Sequence, residues 1–328
     1  MCSSDLAPTC TTTATANSPV GTYPTTCSGA ADPNYTIIYW PLPTFLTVTP
    51  AALNITASSG TMMYGGLVPA VTPIYTGLAG GNVAPATPPT CTTTATRTSP
   101  VGTYPTTCSG AVDANYTITY TAGSIVISKA TTTTTVTSNH NPALHGQSVT
   151  FTATVTPPVG SVGLVPSGTV QFRMNGTLRA TVTLNGAGVA TYTPALNLLT
   201  TAAHPVVVTY SGDVRFLTST SATLNQTVTA AATTTTLTLV TPVSRRNTIR
   251  YTARVAVVAP GTGTPTGTVR FYKGGTLIGS ATLAGGVATL NYRNTGQTTG
   301  TFAMHAVYVA STNFATSTSP NVTQRITT

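Results

Sequence analysis

Glutamate is absent from this 328-residue chain, and its only acids are Asp5, Asp32, Asp113 and Asp213. Calcium sites need clustered carboxylates, and general acid–base catalysis usually needs two of them in one cleft. Four aspartates scattered this widely supply neither. Charged residues of both signs make up only 5% of the chain, far less than a soluble protein normally carries. Long helices draw on Glu, Lys, Gln and Arg, so the same shortage argues against a helical fold. No apolar run approaches the ~20 residues of a membrane span, and no charged-then-apolar leader is present. For an exported protein, the missing leader and a first repeat that starts part-way read as an internal fragment of a longer chain. There is no GxSxG elbow, no phosphate-cradling loop followed by a helix, and no His with an Asp at a motif spacing. Neither an enzyme nor a cofactor is expected.

Threonine fills the space that charge leaves, with Ser, Asn, Gly and Pro beside it and apolar residues at 41%. Thr is stiff at χ1 and suits strands, and its hydroxyl wets an exposed sheet face. The composition reads as all-β. The length suggests two or three domains.

Basic groups are spread unevenly through the net charge of +9. Residues 1–129 carry −1, residues 130–228 carry +2, and residues 229–328 carry +8 without a single acid. Arg245, Arg246, Arg250, Arg254, Arg270, Lys273 and Arg293 are therefore candidate contacts for a polyanion such as cell-wall polymer or host glycan. The plainer alternative is that they keep a nearly uncharged surface soluble. Arg250 and Arg254 share one strand face, while Arg270 falls on a strand expected in the opposite sheet. Such a girdle lacks the single basic stripe with stacking aromatics that nucleic acid wants, so no nucleic-acid partner is expected.

The chain is built from repeats. Pro89–Tyr120 restates Pro8–Tyr39 at 27 of 32 positions, the exceptions being Arg97, Thr98, Val112, Ala114 and Thr119 against Ala16, Asn17, Ala31, Pro33 and Ile38. Cys10 and Cys27 are the equivalents of Cys91 and Cys108. Each pair flanks a hairpin, with turn formers at Asn17–Val20 in the first copy, and a cross-strand disulfide fits that register. A redox or metal site would need a CxxC-like spacing or histidine partners, and neither is present. Closing a loop of this length is worth ~3 kcal/mol in the chain-entropy model. Cys2 is left over inside MCSSDL, which reads as a non-native leader over residues 1–6. Paired cysteine fits an oxidising compartment, extracellular or at the cell surface.

Residues 7–50 are expected to be the C-terminal half of a unit, with strands at Cys10–Thr15, Tyr23–Gly29, Tyr35–Tyr39 and Phe45–Thr49. Without its first strands this half should be poorly ordered or leave a raw sheet edge. Residues 51–129 hold the complete unit. Leu53 and Ile55 face one way there, a turn falls at Tyr64-Gly65-Gly66, and strands are expected at Ala70–Gly77, Cys91–Thr96, Gly102–Gly110, Tyr116–Tyr120 and Ser124–Ser128 as an antiparallel set. The Tyr-Gly turn, the SPVGTYPTTCSGA block and the NYTITY–G–SIVIS ending resemble the MBG repeat of bacterial surface proteins.

Residues 130–228 and 229–328 follow a second plan. Val149, Phe151, Ala153 and Val155 alternate with threonines, and Ile249, Tyr251, Ala253 and Val255 repeat the pattern. Seven short strands bounded by turn formers are expected in each, which favours a sandwich. The GQSVTFTATV, SGTVQFRMNG and YSGDVRF blocks, with TGTVRFYKGG in the second copy, resemble the bacterial Ig-like domain of group 3. The last unit departs from that pattern in having Ser311 where the earlier one has Asp213, a residue expected to cap a turn.

His140, His145 and His204 could approach one end of their sandwich, but no carboxylate is evident to support a metal, and no metal site is assigned. The N-x-[ST] sequons at Asn34, Asn54, Asn115, Asn175, Asn225 and Asn321 are what so Thr-rich a chain produces by chance. Short connections between units suggest an elongated rod of tandem antiparallel β-sandwich repeats. The resemblances imply a non-catalytic stalk that supports adhesion, with neighbouring repeats as its partners.

Overall fold

The computed structural model describes residues 6–39, 44–161, 163–244, 247–293, 295 and 298–328. Asp5 and the Cys2 segment lie outside these residues, as do Arg245 and Arg246. The chain divides into two units, one through Ala130 and one from Thr131.

The first unit opens with β1 (Thr9–Thr12), β2 (Gly21–Ser28) and β3 (Thr44–Val48), which form one sheet in that order. The complete repeat follows with β4 (Ala51–Ala57), β5 (Gly60–Met63), β6 (Pro73–Thr76), β7 (Thr90–Thr93), β8 (Gly102–Ser109), β9 (Tyr116–Thr121) and β10 (Gly123–Ser128). These make two sheets, β6-β4-β9 and β5-β10-β8-β7. Leu53, Ile55 and Ala57 from one sheet bury against Cys108 from the other, with Tyr116 closing the cluster. The period-2 pattern of β4 is thus spent on a core between sheets.

Besides the unexpected strand β5 and, in the first copy, the absence of the strand expected over Tyr35–Tyr39, two features differ from expectation. First, the set is not wholly antiparallel, because β9 runs parallel to β4 and β10 parallel to β5. The last two strands each return beside one of the first two, closing the repeat on itself. Secondly, the hairpin ladder from Cys91↔Cys108 stops at Thr93↔Thr106, three residues short of the expected strand end at Thr96. In that register the next partner of Thr94 is Pro105, which has no amide hydrogen to donate. The Thr93 hydroxyl instead donates to the Pro105 carbonyl at 2.9 Å and accepts from the Ala95 amide at 3.2 Å. Thr12 does the same with Pro24 and Ala14 in the first copy.

The second unit holds two copies of one sandwich. The first has β11 (Thr133–Ser138), β12 (Ala143–Leu144), β13 (Phe151–Thr156), β14 (Thr169–Met174), β15 (Thr177–Thr183), β16 (Val189–Tyr192), β17 (Ala203–Tyr210), β18 (Ser219–Thr220) and β19 (Leu224–Thr229), with one 3-10 turn at Leu196–Leu198. The second has β20 (Thr233–Leu239), β21 (Val243–Ser244), β22 (Thr248–Val257), β23 (Thr268–Lys273), β24 (Thr276–Thr282), β25 (Val287–Arg293), β26 (Gly300–Tyr308), β27 (Ser317–Thr318) and β28 (Val322–Thr327). A three-stranded sheet, β11-β13-β16 or β20-β22-β25, faces a larger one, β12-β19-β17-β14-β15 or β21-β28-β26-β23-β24.

Each copy gains two strands beyond the expected seven. One is the short β18 or β27. The other arises because the opening strand changes sheets, so that β12 and β21 pair in parallel with the last strand of their repeat. Val149, Phe151, Ala153 and Val155 are all buried, as are Ile249, Tyr251, Ala253 and Val255. The facing sheet buries Val170, Phe172, Val208 and Tyr210 in the first copy, and in the second Val269, Phe271, Ala306 and Tyr308 form one cluster with the Ile249 series. Truncating such a phenylalanine to alanine costs ~3–5 kcal/mol.

Candidate functional site at the repeat junction

Between the two sandwiches of the second unit there is no free linker. Only residues 230–232 separate β19 from β20, and Ala231 among them is fully buried. Its amide donates to the Asn313 carbonyl at 2.9 Å and its carbonyl accepts from the Ala315 amide at 2.8 Å. The first sandwich contributes the turn after β12, where the His145 amide donates to Thr229 O at 2.8 Å. Thr262 of the second sandwich reaches back to that turn. Its amide donates to His145 O at 3.3 Å and its hydroxyl to Gly146 O at 2.7 Å. The His145 ring stands edge-on to Phe314, with centroids 5.3 Å apart and planes at 88°. Thr201 adds a hydroxyl bond to Asn313 Oδ1 at 2.8 Å.

Glycine is required at this contact. Gly146 has φ of +75°, and a Cβ there would lie 2.3 Å from the Thr262 carbonyl oxygen. His145 Nδ1 is buried without a hydrogen-bond partner, so the ring is held by packing on that side. Neutral hydrogen bonds and one aromatic edge can set the geometry of two sandwiches.

Two kinds of repeat, each folded about its own sheets, accord with the family comparisons. The description "Bacterial Ig-like domain (group 3)" matches residues 136–229 and 230–327. The chain belongs to this bacterial Ig-like family. Ahead of the two Ig-like domains, "MBG domain (YGX type)" matches residues 3–41 and 53–126, the order that the sequence motifs suggest. Among curated proteins no match was found. Solved structures similar to the Ig-like chain include a tetra-tandem repeat from the extending region of a large adhesion protein, at 15% identity and a TM-score of 0.36, covering 94% of this chain and 82% of that one. The Escherichia coli adhesin FdeC aligns at 17% identity and a TM-score of 0.26, over 86% of this chain and all (100%) of that one. The I9–I11 tandem of titin aligns at 14% identity and 0.27, over 84% and 98% of the two chains.

The cysteines singled out in the sequence form the disulfides Cys10–Cys27 and Cys91–Cys108, each across directly opposed strand positions. The histidines do not gather. His204 is buried, with Nδ1 3.1 Å from Asn175 Nδ2 and Nε2 2.8 Å from Thr200 O. His140 is exposed and His145 belongs to the junction. Among the described residues, no group of three His, Cys, Asp or Glu could hold a metal.

The basic residues of the last Ig-like domain divide between its sheets. Arg250 and Arg254 lie on the outer face of β22, and Arg293 of β25 sits opposite Thr248 on that same face. Arg270 is on the outer face of β23 in the other sheet. Lys273 ends β23 with its ammonium 3.6 Å above the centre of the Phe302 ring, and burial lowers its pKa. The described basic residues thus lie on both sheets, with Arg250, Arg254 and Arg293 on the outer face of one of them.

Sequence reasoning missed the junction residues Thr201, Thr262, Asn313 and Phe314. The signals nearest to them, HG at 145–146 and GTG at 261–263, read as ordinary turns. Their contacts join positions as far as 116 residues apart, and no local pattern records that.

Proposed function

We propose that this chain is a non-catalytic spacer from a secreted or cell-surface bacterial protein, and that it serves adhesion by holding another module at a distance. Its working parts would be the half MBG repeat over 7–50, the complete one over 51–129, and the Ig-like repeats over 130–228 and 229–328, behind a non-native leader at 1–6. The observation that carries this reading is the Ig-like junction. Thr262 and Phe314 clamp the His145–Gly146 turn, so adjoining domains with separate cores are docked directly. Such an arrangement transmits force along the chain one domain at a time. The disulfides and the Thr-rich faces suit an oxidising, protease-exposed surface. Pulling the full chain from its ends by single-molecule force spectroscopy tests the reading. Separate unfolding events, one per domain, are expected, and one event spanning the whole chain would overturn it.

A second reading rests on the aligned Arg250, Arg254 and Arg293, which could grip an anionic wall polymer or surface glycan. Retention of the full chain on purified wall polymer should then fall with added salt. It should also fall when Arg250 and Arg254 are both changed to serine. Unchanged retention of the double variant would remove this reading and leave the spacer intact.

A further inference from the structure

The two Ig-like domains share one plan, so each position of the second has a counterpart in the first. Lys273 ends β23 as Met174 ends β14, and the next residues, Gly274 and Asn175, open the same hairpin at φ of +58° and +53°. The Gly274 amide donates to the Ala303 carbonyl at 2.7 Å, and the Asn175 amide to the Pro205 carbonyl at 3.0 Å. Phe302 therefore stands where the first domain has His204.

In the first domain this corner of the sandwich is filled. Asn175 Nδ2 donates to His204 Nδ1 at 3.1 Å, the ring's Nε2 donates to Thr200 O at 2.8 Å, and Met174 and His204 are both buried. In the second domain Gly274 has no side chain to send, and Phe302 has no polar atom to receive one. A pocket of ≈ 470 Å³ lies there instead, lined chiefly by Lys273, Thr276, Ile278, Tyr292, Thr301 and Phe302. That is the size of a small-molecule site. The hydrogen bonds that dock the second domain onto the first run through His145, Gly146 and Thr201. Among the described residues none runs through Met174–Thr177, so domain docking leaves the equivalent corner open.

The lining has a definite chemistry. The Lys273 ammonium sits 3.6 Å above the centre of the Phe302 ring, which holds it in place. Its pKa is lowered by burial, and an anionic oxygen brought to it offsets the hydration that burial removes. Residues 229–328 contain no acidic side chain, so nothing in the lining repels an anion. Tyr292 and Ile278, half-buried against the core, give an apolar wall, and the exposed Thr276 and Thr301 add hydroxyls. A ligand with a carboxylate, one apolar face and a rim of hydroxyls matches all three parts.

We propose that this pocket binds a single acidic sugar residue of the hexuronic acid type, its carboxylate on Lys273 and its C–H face on Tyr292 and Ile278. The site uses none of Arg250, Arg254 and Arg293, and it stands or falls without them.

The test titrates the full chain with methyl β-glucuronide, and with methyl β-glucoside as the neutral control, followed by saturation-transfer NMR. Saturable binding of the glucuronide is expected, with the glucoside weaker by about tenfold or more, the worth of one charge-assisted hydrogen bond. Lys273→Met, which copies the first domain, should bring the glucuronide down to the level of the glucoside, whereas Lys273→Arg should keep the preference. Gly274→Asn with Phe302→His, which rebuilds the first domain's filling, should lose both sugars. The thermal midpoint of the last domain, measured for each variant, separates lost binding from lost folding. Changing Arg250 and Arg254 to serine should leave glucuronide binding as it was. Four results would overturn the proposal: no saturable glucuronide binding, equal affinity for the two sugars, full binding by a folded Lys273→Met chain, or binding lost with the two arginines.

Discussion

At the residue scale, Asp213 shows what the last Ig-like domain has given up. Its Oδ1 accepts from the Arg215 and Phe216 amides at 2.7 Å each, and its Oδ2 accepts from the Ser167 hydroxyl at 2.7 Å and amide at 2.9 Å. It caps its own turn, as expected, and also ties that turn to the segment leading into β14. Burial alone would raise its pKa, but these four bonds outweigh it and hold the carboxyl below its usual range. A depressed folded pKa means that the stabilisation is complete above the unfolded value of ~4 and is lost as pH falls through the folded one. Acid unfolding of the first Ig-like domain should therefore lose much of its slope in Asp213→Asn. Asp213→Ala should cost about 1–2 kcal/mol at neutral pH, read by denaturant titration. In the second domain Ser311 keeps only the backbone bond to Phe314 O and a hydroxyl contact from Tyr308 at 3.1 Å. Ser311→Asp should raise that domain's stability by up to about 1 kcal/mol. An unchanged midpoint would show that Thr266 cannot take the role of Ser167.

Arg97 is the other instructive residue. Its guanidinium donates to the Gly65 carbonyl from Nε at 3.3 Å and Nη2 at 3.1 Å, joining the hairpin tip to the Tyr-Gly turn. The first copy has Ala16 at this position, and within residues 1–50 there is no Tyr-Gly turn to hold.

At the scale of the element, the MBG hairpin is short for a reason that lies in its own residues. Pro105 ends the ladder after Thr93, two residues beyond the disulfide, which is the covalent tie between the two strands. Replacing both Cys91 and Cys108 with serine should cost about 3 kcal/mol of the complete unit's stability, seen as a lower thermal midpoint for that unit alone. The junction turn is the second element with a definite prediction. Gly146→Ala puts a Cβ against the Thr262 carbonyl and strains a positive φ, at a cost of about 1–3 kcal/mol. Amide exchange at Thr262 should quicken, while Phe151 and Phe271, deep in the two cores, keep their protection. Loss of protection at those phenylalanines would mean that the domains fold as one body.

At the scale of the whole molecule, family and fold class were legible from residues, and the reason is physical. A β repeat writes itself into sequence as alternation, with turn formers at fixed spacing. Val149–Val155 and Ile249–Val255 carry that alternation without interruption, and all eight apolar positions are buried. The duplicated cysteines likewise revealed their partners, because opposed positions of one hairpin are close in sequence. Amide exchange across the full chain should order accordingly, with residues 21–48 exchanging faster than their counterparts 102–128. Equal rates would mean that β3 is already covered.

What the amino-acid sequence determined by itself is therefore what depends on one residue's neighbours along the chain: the repeats, the long alternating strands, their inward faces and the cysteine pairs. Alternation says that a side chain points inward, but not which strand lies beside it. The parallel returns of β9 and β10, the sheet change at β12 and β21, and the clamp of Thr262 on His145 and Gly146 were decided only in three dimensions. Backbone groups far apart in the chain had to find hydrogen-bond partners there, and the choice among free edges was settled by which pairing closed the core.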